Sequence, residues 1–286
     1  MSESRAHGAS RRVRRNRTIA VAATVLVLVA GATAAGVISG AQGDDGATTA
    51  PPSRSPKPSA SASQTPTPTR PAPAQTPTPT AVPGFDKAAR SIDDPASIWV
   101  VSDKLRPLNP VDYEPADLVD VPVAHTWDPV LRQEASDAVV AMFQTASDEA
   151  GLALASNSAY RSYSTQQNVY DNDVASLGQE GADLSTARPG FSEHQTGLAI
   201  DIGPASGACS LNQCFADTPE GQWLAANAYR FGYLLRYPAD KVPVTGFEFE
   251  PWHYRYIGVD LAGEMHRVGV TTLEEFFGLP AAPNYG

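Results

Sequence analysis

Four polar side chains in the C-terminal half of the sequence could build a hydrolytic metal site. His194 stands seven residues before Asp201, and His253 stands three residues after Glu250. Two imidazoles and one carboxylate would hold a zinc ion and leave a fourth position for water, as catalytic zinc sites do. The remaining carboxylate, Glu250, could then take a proton from that water, because zinc lowers the pKa of bound water towards roughly 7. Spacing alone is weak evidence, since His and Asp residues at strand ends are more often structural hydrogen-bonding groups.

Two predicted strands would carry these side chains. In residues 197–203, Leu198, Ile200 and Ile202 share one face by the period of two, which turns Asp201 to the other face. Residues 246–255 show the same alternation of aromatic and acidic side chains. A regular strand would place residues 250 and 253 on opposite faces, so the chain must bulge or turn at Pro251 if both act in one site.

Helical periodicity and capping residues predict the remaining elements of a single α+β domain. The predicted helices run from Asp128-Pro129 to Gly151, from Ser164 to about Leu177 with Gly178 beyond, from Pro219 to Phe231, and near Leu261 to Arg267 and Leu273 to Phe277.

Three motifs carry a family resemblance. The run Ser192-Glu193-His194-Gln195-Thr196-Gly197-Leu198-Ala199-Ile200-Asp201 matches the Ser-x-His-x-x-Gly-x-Ala-x-Asp pattern of the VanY-type D-alanyl-D-alanine carboxypeptidases, and Glu250-Pro251-Trp252-His253 matches their Glu-x-Trp-His pattern. Residues 158–163 with Gln166 resemble the third motif of that family, and residues 103–110 resemble its usual entry into the domain. The similarity covers about residues 95 to 260, in matching order.

The resemblance implies a fold and a metal. The fold would be the hedgehog/D,D-peptidase-like α+β architecture, in which helices flank a central, mostly antiparallel sheet. One Zn²⁺ ion would be held by His194, Asp201 and His253. Glu250 would be the catalytic base and later the proton donor to the leaving amine.

The resemblance also implies residues that contact substrate. Arg161 would be a catalytic residue facing the scissile carbonyl or the terminal carboxylate of the substrate, which a guanidinium can bind through two parallel hydrogen bonds. Ser158, Gln166 and Ser192 match positions that line the peptide site. Helix capping or loop hydrogen bonding would explain these three residues equally well.

The activity implied is hydrolysis of the C-terminal D-Ala-D-Ala bond of peptidoglycan stem peptides. Three other peptidase activities would use the same metal: an L,D-carboxypeptidase, a D-Ala-D-Ala dipeptidase and a cross-link endopeptidase. A cell-wall-binding or sensor domain without catalysis is the non-enzyme alternative, although such a domain would have no need of the base Glu250.

The N-terminal part of the chain indicates export. Six arginines lie in residues 1–18, before an uncharged segment, residues 19–40, that is long enough to cross a membrane. This segment is either a transmembrane anchor, with residues 1–18 as a cytoplasmic tail, or a cleaved signal peptide. Residues 41–83 are rich in Pro, Thr and Ser and contain 11 of the 25 prolines, which is typical of a disordered linker. Residues 84–286 would then be an extracytoplasmic domain, which we expect to be monomeric.

The charge argues against one class of partner, and the cysteine content argues against one class of metal-binding module. Residues 84–286 carry 12 Lys and Arg against 28 Asp and Glu, a formal charge of −16, which argues against a nucleic-acid partner. The two cysteines, Cys209 and Cys214, are too few for a cysteine-rich zinc module. Outside the cytoplasm they are expected to form a disulfide that pins a local loop.

Overall fold

A computed structural model of the protein describes residues 84–286. A two-stranded antiparallel ribbon comes first along the chain, formed by β1 (Leu118–Asp120) and β2 (Val130–Arg132). The main sheet has four antiparallel strands in the order β3-β4-β6-β5. These strands are β3 (Leu154–Ser158), β4 (Ala199–Pro204), β5 (Tyr233–Leu235) and β6 (His253–Tyr256).

Six helices are described in residues 84–286. They are α1 (Gln133–Ala150), α2 (Tyr163–Ser185), α3 (Pro219–Asn227), α4 (Val242–Thr245), α5 (Val259–Val268) and α6 (Leu273–Phe277). Short 3₁₀ helices add single turns, and the one at Glu193–Thr196 leads into β4. The α+β class and the antiparallel sheet are therefore confirmed.

The core lies between the sheet and α1. The inward face of α1 presents Ala135, Val139 and Met142, none of which has measurable exposure to solvent. Ile200 and Ile202 of β4 are equally buried, and their shared burial agrees with the predicted face. Asp201 of the same strand is buried as well, because its side of β4 is covered by the residues of a polar cavity.

The segment before β1 belongs to the same core. Phe85 stacks on Trp99 with ring centroids 5.6 Å apart, and Ile98 and Val100 are buried beside them. The guanidinium of Arg255 in β6 donates from Nη2 to the carbonyls of Ile98 and Val100, at 3.2 and 2.9 Å. This segment therefore closes one side of the domain.

Helix boundaries differ from the predictions in several places. Helix α2 begins at Tyr163, after a cap by Ser162 and not at Ser164, and α3 ends at Asn227, beyond which a 3₁₀ turn runs to Phe231. The predicted start of α1 at Asp128-Pro129 is wrong, because residues 130–132 pair with β1 and the helix begins at Gln133; its end at Gly151, in the left-handed conformation, agrees with the prediction. The break at Gly178 (φ 73°) also agrees, but helical turns resume beyond it and continue to Ser185.

The predicted strand over residues 246–255 is only partly correct. Strand β6 begins at His253, and residues 247–250 form no ladder. Their amides bond elsewhere: Phe247 N–H donates to Thr245 Oγ1, and Glu248 N–H donates to the carbonyl of Leu184 at the end of α2. The chain turns between Glu250 and His253, where a backbone hydrogen bond of 3.1 Å closes the turn that Pro251 was expected to require.

The last predictions concern the two cysteines and the N-terminal segments. Cys209 and Cys214 form a disulfide. Within residues 84–286, none of the helices has the length and apolar character needed to cross a bilayer. The tail at residues 1–18, the apolar segment at 19–40 and the linker at 41–83 lie outside the described residues.

Candidate metal centre

Three separate elements bring the predicted ligands together. His194 lies in the 3₁₀ helix Glu193–Thr196, Asp201 in the middle of β4, and His253 at the first position of β6. In the antiparallel pairing of β4 and β6, Asp201 and His253 are direct partners. One ligand atom from each of the three residues lies within 4.8 Å of the other two, and all three side chains are buried.

In each imidazole one nitrogen contacts an oxygen outside the cluster, and the other nitrogen faces Asp201. The Nδ1 atom of His194 lies 2.6 Å from the carbonyl of Ala159, and its Nε2 lies 3.3 Å from Asp201 Oδ2. In His253 the roles are reversed: Nε2 lies 3.3 Å from Glu193 Oε2, and Nδ1 lies 3.1 Å from Asp201 Oδ1. Two nitrogens and one carboxylate oxygen therefore face a common point, and this donor set fits zinc.

The two imidazoles have different pKa values because their burial and neighbouring charges act differently. Burial and the nearby Arg161 lower the pKa of His194 to about 4, which keeps that ring neutral. Burial also opposes the charged form of His253, but hydrogen bonds to Asp201 and Glu193 outweigh it and raise its pKa to about 9. In Asp201, contact with His194 and His253 overcomes burial and holds the pKa well below its ordinary value.

Glu250 stands beside this cluster without belonging to it. Its Oε2 atom lies 3.8 Å from His253 Nδ1, and a hydrogen bond from its amide to the carbonyl of Tyr237 fixes its backbone. Burial raises the pKa of Glu250 to about 8. A carboxyl group with this pKa can both accept and return a proton near neutral pH.

Arg161 lines the same cavity. It follows β3 and is held by Gln166, whose Oε1 accepts from Arg161 Nε at 3.0 Å, and by Ser158, whose Oγ accepts from Nη1 at 3.3 Å. The amide nitrogen of Gln166 donates to the carbonyl of Ala187 at 2.7 Å. Gln166 is fully buried, so it supports Arg161 from behind, whereas Ser192 lines the cavity itself.

A cavity of about 420 Å³ joins all these groups. His194, Asp201, His253, Glu250 and Arg161 line its polar side. Its remaining walls include Trp252 of the Glu-x-Trp-His motif and residues that the motifs did not contain, which are Val169, Asp173, Thr186, Leu211, Tyr237, Phe247 and Glu248. Val169 and Asp173 come from helix α2, and the others come from loops and from the segment after α2.

The motif that contains His194 does not reveal the role of Glu193. Its side chain is completely buried between two arginines, although it directly precedes a metal ligand in the chain. Burial would raise its pKa, but Arg236 and Arg255 outweigh burial and hold it well below the ordinary range. A glutamate inside a buried motif, next to a histidine, was the available signal.

Comparisons with known proteins agree with this geometry. Residues 128–259 match the family model of VanY, D-alanyl-D-alanine carboxypeptidase. The YodJ protein of Bacillus subtilis (strain 168) is 41% identical over 192 residues, which cover 65% of this chain and 69% of YodJ. The chain belongs to the VanY family. It is an enzyme, a peptidase of that family.

Two solved structures of VanY-like enzymes resemble the fold. The LD-carboxypeptidase LdcB is 41% identical, with a TM-score of 0.60, over 64% of this chain and 87% of LdcB. A mutant of the vancomycin resistance D,D-pentapeptidase VanY, from a VanB-type cassette and in complex with Zn(II), is 30% identical, with a TM-score of 0.53, over 63% of this chain and 98% of VanY. Zinc is therefore the cofactor, and His194, Asp201 and His253 are the residues that would hold it.

Proposed function

We propose that residues 84–286 hydrolyse the C-terminal D-Ala-D-Ala bond of peptidoglycan stem peptides, outside the cytoplasm, and so remove the last D-alanine. The observation that carries this proposal is the single cavity in which the His194–Asp201–His253 cluster, Glu250 and Arg161 meet. A metal cluster, a free carboxylate and a cation are the groups that a zinc carboxypeptidase needs.

Each side chain has a part in the proposed reaction. A zinc ion held by His194, Asp201 and His253 would act as a Lewis acid and would lower the pKa of bound water. Glu250 accepts a proton from the attacking water and then delivers that proton to the amine that leaves as the peptide bond breaks. The carboxylate of Glu250 thereby returns to its starting state.

Arg161 gives the reaction its preference for a chain end. In a domain with an acidic excess, the terminal carboxylate of a peptide needs a local cation. Arg161 provides a guanidinium in the cavity, and its Nε and Nη1 are held by Gln166 and Ser158. A fixed guanidinium can bind a carboxylate through two parallel hydrogen bonds, which orients the scissile bond towards Glu250.

A second candidate activity concerns the bond that is cut. A D,D-carboxypeptidase releases the last D-alanine of a pentapeptide, whereas an L,D-carboxypeptidase releases the D-alanine of a tetrapeptide. This chain is 41% identical to the LD-carboxypeptidase LdcB and 30% identical to the D,D-pentapeptidase VanY. The higher identity supports L,D-carboxypeptidase activity as the alternative.

Mass spectrometry of defined stem peptides tests the proposal. Purified zinc-loaded protein should remove one alanine from a pentapeptide, and a chelator should abolish this activity until zinc is restored. Removal of an alanine from a tetrapeptide alone would indicate the L,D-carboxypeptidase instead. Release of a dipeptide would indicate a dipeptidase, and cleavage of linked dimers an endopeptidase. Binding of the peptides without any cleavage would overturn the proposal in favour of a wall-binding domain.

Export to the cell surface is part of the same proposal. The Cys209–Cys214 disulfide supports it, because disulfides persist in oxidising compartments. Residues 19–40 would provide the anchor or the cleaved signal, and residues 41–83 the linker. Added protease should digest the domain on intact spheroplasts, or the domain should be found in the medium if the signal is cleaved. Protection from protease until the cells are lysed would contradict export.

A further inference from the structure

A network of four buried charged side chains lies directly behind the metal centre. Glu193 is at its centre, and its side chain has no exposure to solvent. Arg236 Nε donates to Glu193 Oε1 at 2.8 Å, and Arg255 Nη1 donates to the same oxygen at 3.0 Å. Because both arginines bind Oε1, the other oxygen is left to face His253 Nε2, at 3.3 Å.

The far end of the network is anchored to the rest of the domain. The guanidinium of Arg236 forms a bidentate pair with Glu274 of α6, at 3.0 and 2.6 Å. Arg255 donates its remaining hydrogen bonds to backbone carbonyls, including those of Ile98 and Val100. Two glutamates and two arginines balance in charge, so the contact of Glu193 with His253 is additional to charge neutralisation.

We propose that Glu193 is a positioning residue that fixes the ring of His253 with a proton on Nε2 and with Nδ1 turned towards the metal. The inference rests on the proposed zinc site. A neutral imidazole carries one proton, and the nitrogen that carries it cannot bind a metal ion. An anionic acceptor next to Nε2 keeps the proton there and leaves the lone pair of Nδ1 free.

The surroundings of His253 explain why an electrostatic constraint is useful. The ring lies against Tyr237 and His194, with centroids 4.9 Å away in both cases, and these contacts restrain its plane. Packing alone does not distinguish a ring from the same ring turned over by 180° about its Cβ–Cγ bond. The carboxylate of Glu193 does distinguish them, because only one orientation offers it an N–H.

A purely structural role makes a different prediction. If Glu193 were only a counter-ion for buried arginines, its removal would resemble the removal of Glu274, which is equally buried and pairs with Arg236. Glu274→Gln is therefore the matched control for Glu193→Gln. Both variants lose one buried carboxylate from the same network, but only Glu193 contacts a metal ligand.

The experiment measures the zinc dissociation constant by competition with a chromophoric chelator, together with the ¹⁵N NMR signals of the histidine rings in the zinc-loaded protein. Glu193→Gln should weaken zinc binding by about 10- to 100-fold and shift the His253 Nε2 signal, as loss of a hydrogen-bond partner of a metal-bound histidine does. Glu274→Gln should change zinc affinity much less, whatever its effect on the melting temperature.

Equal zinc affinities in the two variants, with an unshifted His253 signal in Glu193→Gln, would overturn the proposal. If Glu193→Gln does not fold, Glu193→Asp keeps the charge but withdraws the carboxylate by one methylene, and it should still bind zinc more weakly than Glu274→Gln. A wild-type protein that binds no zinc would contradict the proposed function instead, so the two failures are distinguishable.

Discussion

Asp201 and His253 are paired residues of neighbouring antiparallel strands, and Asp201 Oδ1 lies 3.1 Å from His253 Nδ1. The two residues are 52 positions apart in the chain, and the register of β4 against β6 brings them into contact. Because side chains alternate between the faces of a strand, a slip of one residue would turn one of the two ligands away. The core residues that fix the register of β4, Ile200 and Ile202, are thus also responsible for the metal site.

Glu250→Gln should separate metal binding from catalysis. Glu250 lines the cavity but is not one of the clustered ligands, so the amide should leave zinc binding intact. Loss of the general base should lower kcat by about 10²- to 10⁴-fold. Steady-state kinetics on a defined stem peptide and the zinc content of the purified variant check both expectations. A variant that loses its zinc, or one that keeps full activity, would contradict the role given to Glu250.

Zinc affinity should increase with pH in the range above neutrality. In the metal-free protein the pKa of His253 is raised to about 9, so below that pH its Nδ1 carries a proton that zinc must displace. The pKa of His194 is lowered to about 4, so this ring needs no deprotonation. Between pH 7 and 9 the dissociation constant should therefore fall about tenfold per pH unit, and the dependence should flatten above pH 9.

Calorimetric titration in buffers of different ionisation enthalpy measures the protons released. The measurement is best made in Glu250→Gln, because Glu250, with a pKa raised to about 8, would otherwise release protons of its own. About one proton per zinc is expected at pH 7. An affinity independent of pH between 7 and 9 would show that His253 is already neutral in the metal-free protein.

Gln166→Ala should impair the enzyme through Arg161. The side chain of Gln166 accepts from Arg161 Nε and donates to the carbonyl of Ala187, so its removal takes away one of the hydrogen bonds that hold the guanidinium and leaves a half-buried carbonyl unpaired. We expect kcat/KM to fall by roughly tenfold or more, and the free energy of unfolding to fall by about 1 to 3 kcal/mol.

The neighbouring glutamine is the control for that variant. The side-chain nitrogen of Gln167 donates a hydrogen bond to Asp171 Oδ1, one turn further along α2, and this bond is exposed to solvent. Gln167→Ala should therefore leave kinetics unchanged and cost less than about 0.5 kcal/mol. If both alanine variants retain wild-type kcat/KM, Gln166 does not orient Arg161.

Removal of the disulfide should alter the cavity more than the fold. The Cys209–Cys214 bond closes a loop that contains Leu211, which lines the cavity and has a positive φ of 52°. The chain-entropy relation gives about 2 kcal/mol for a loop of this length, so the double serine variant should fold with a lower melting temperature. Its KM should rise, because Leu211 is no longer held in the cavity wall. Reductant should reproduce this change in the wild type and have no effect on the variant.

The sequence predicted the residues of the site better than the elements that hold them. The motifs around His194 and His253 name the ligands because each motif is local, and the period of two correctly placed Ile200 and Ile202 in the core. The short helix predicted near Leu273–Phe277 is also present, and in the structure the side chain of Thr272 caps it.

The wrong predictions depend on contacts that are distant in sequence. The start of α1 moves to Gln133 because residues 130–132 pair with β1, which no local propensity reveals. Residues 247–250 are not a strand because the amide of Glu248 bonds to α2. The contribution of Glu193 was missed for the same reason, since its partners Arg236 and Arg255 lie more than 40 residues away.

The segment before β1 should be indispensable, although the family match begins only at residue 128. A fragment of residues 84–286 should fold cooperatively and keep the activity of the full chain. A fragment of residues 110–286 should not fold, because it loses five buried apolar side chains, Ile98, Trp99, Val100, Val101 and Leu108. At about 1.5 to 3 kcal/mol for each, their loss approaches the whole stability of a typical domain. It would also leave Arg255 without two of its carbonyl partners, next to the metal centre. Circular dichroism and zinc titration of the two fragments measure the outcome, and a shorter fragment that folds and binds zinc as tightly as the longer one would show that the segment is dispensable.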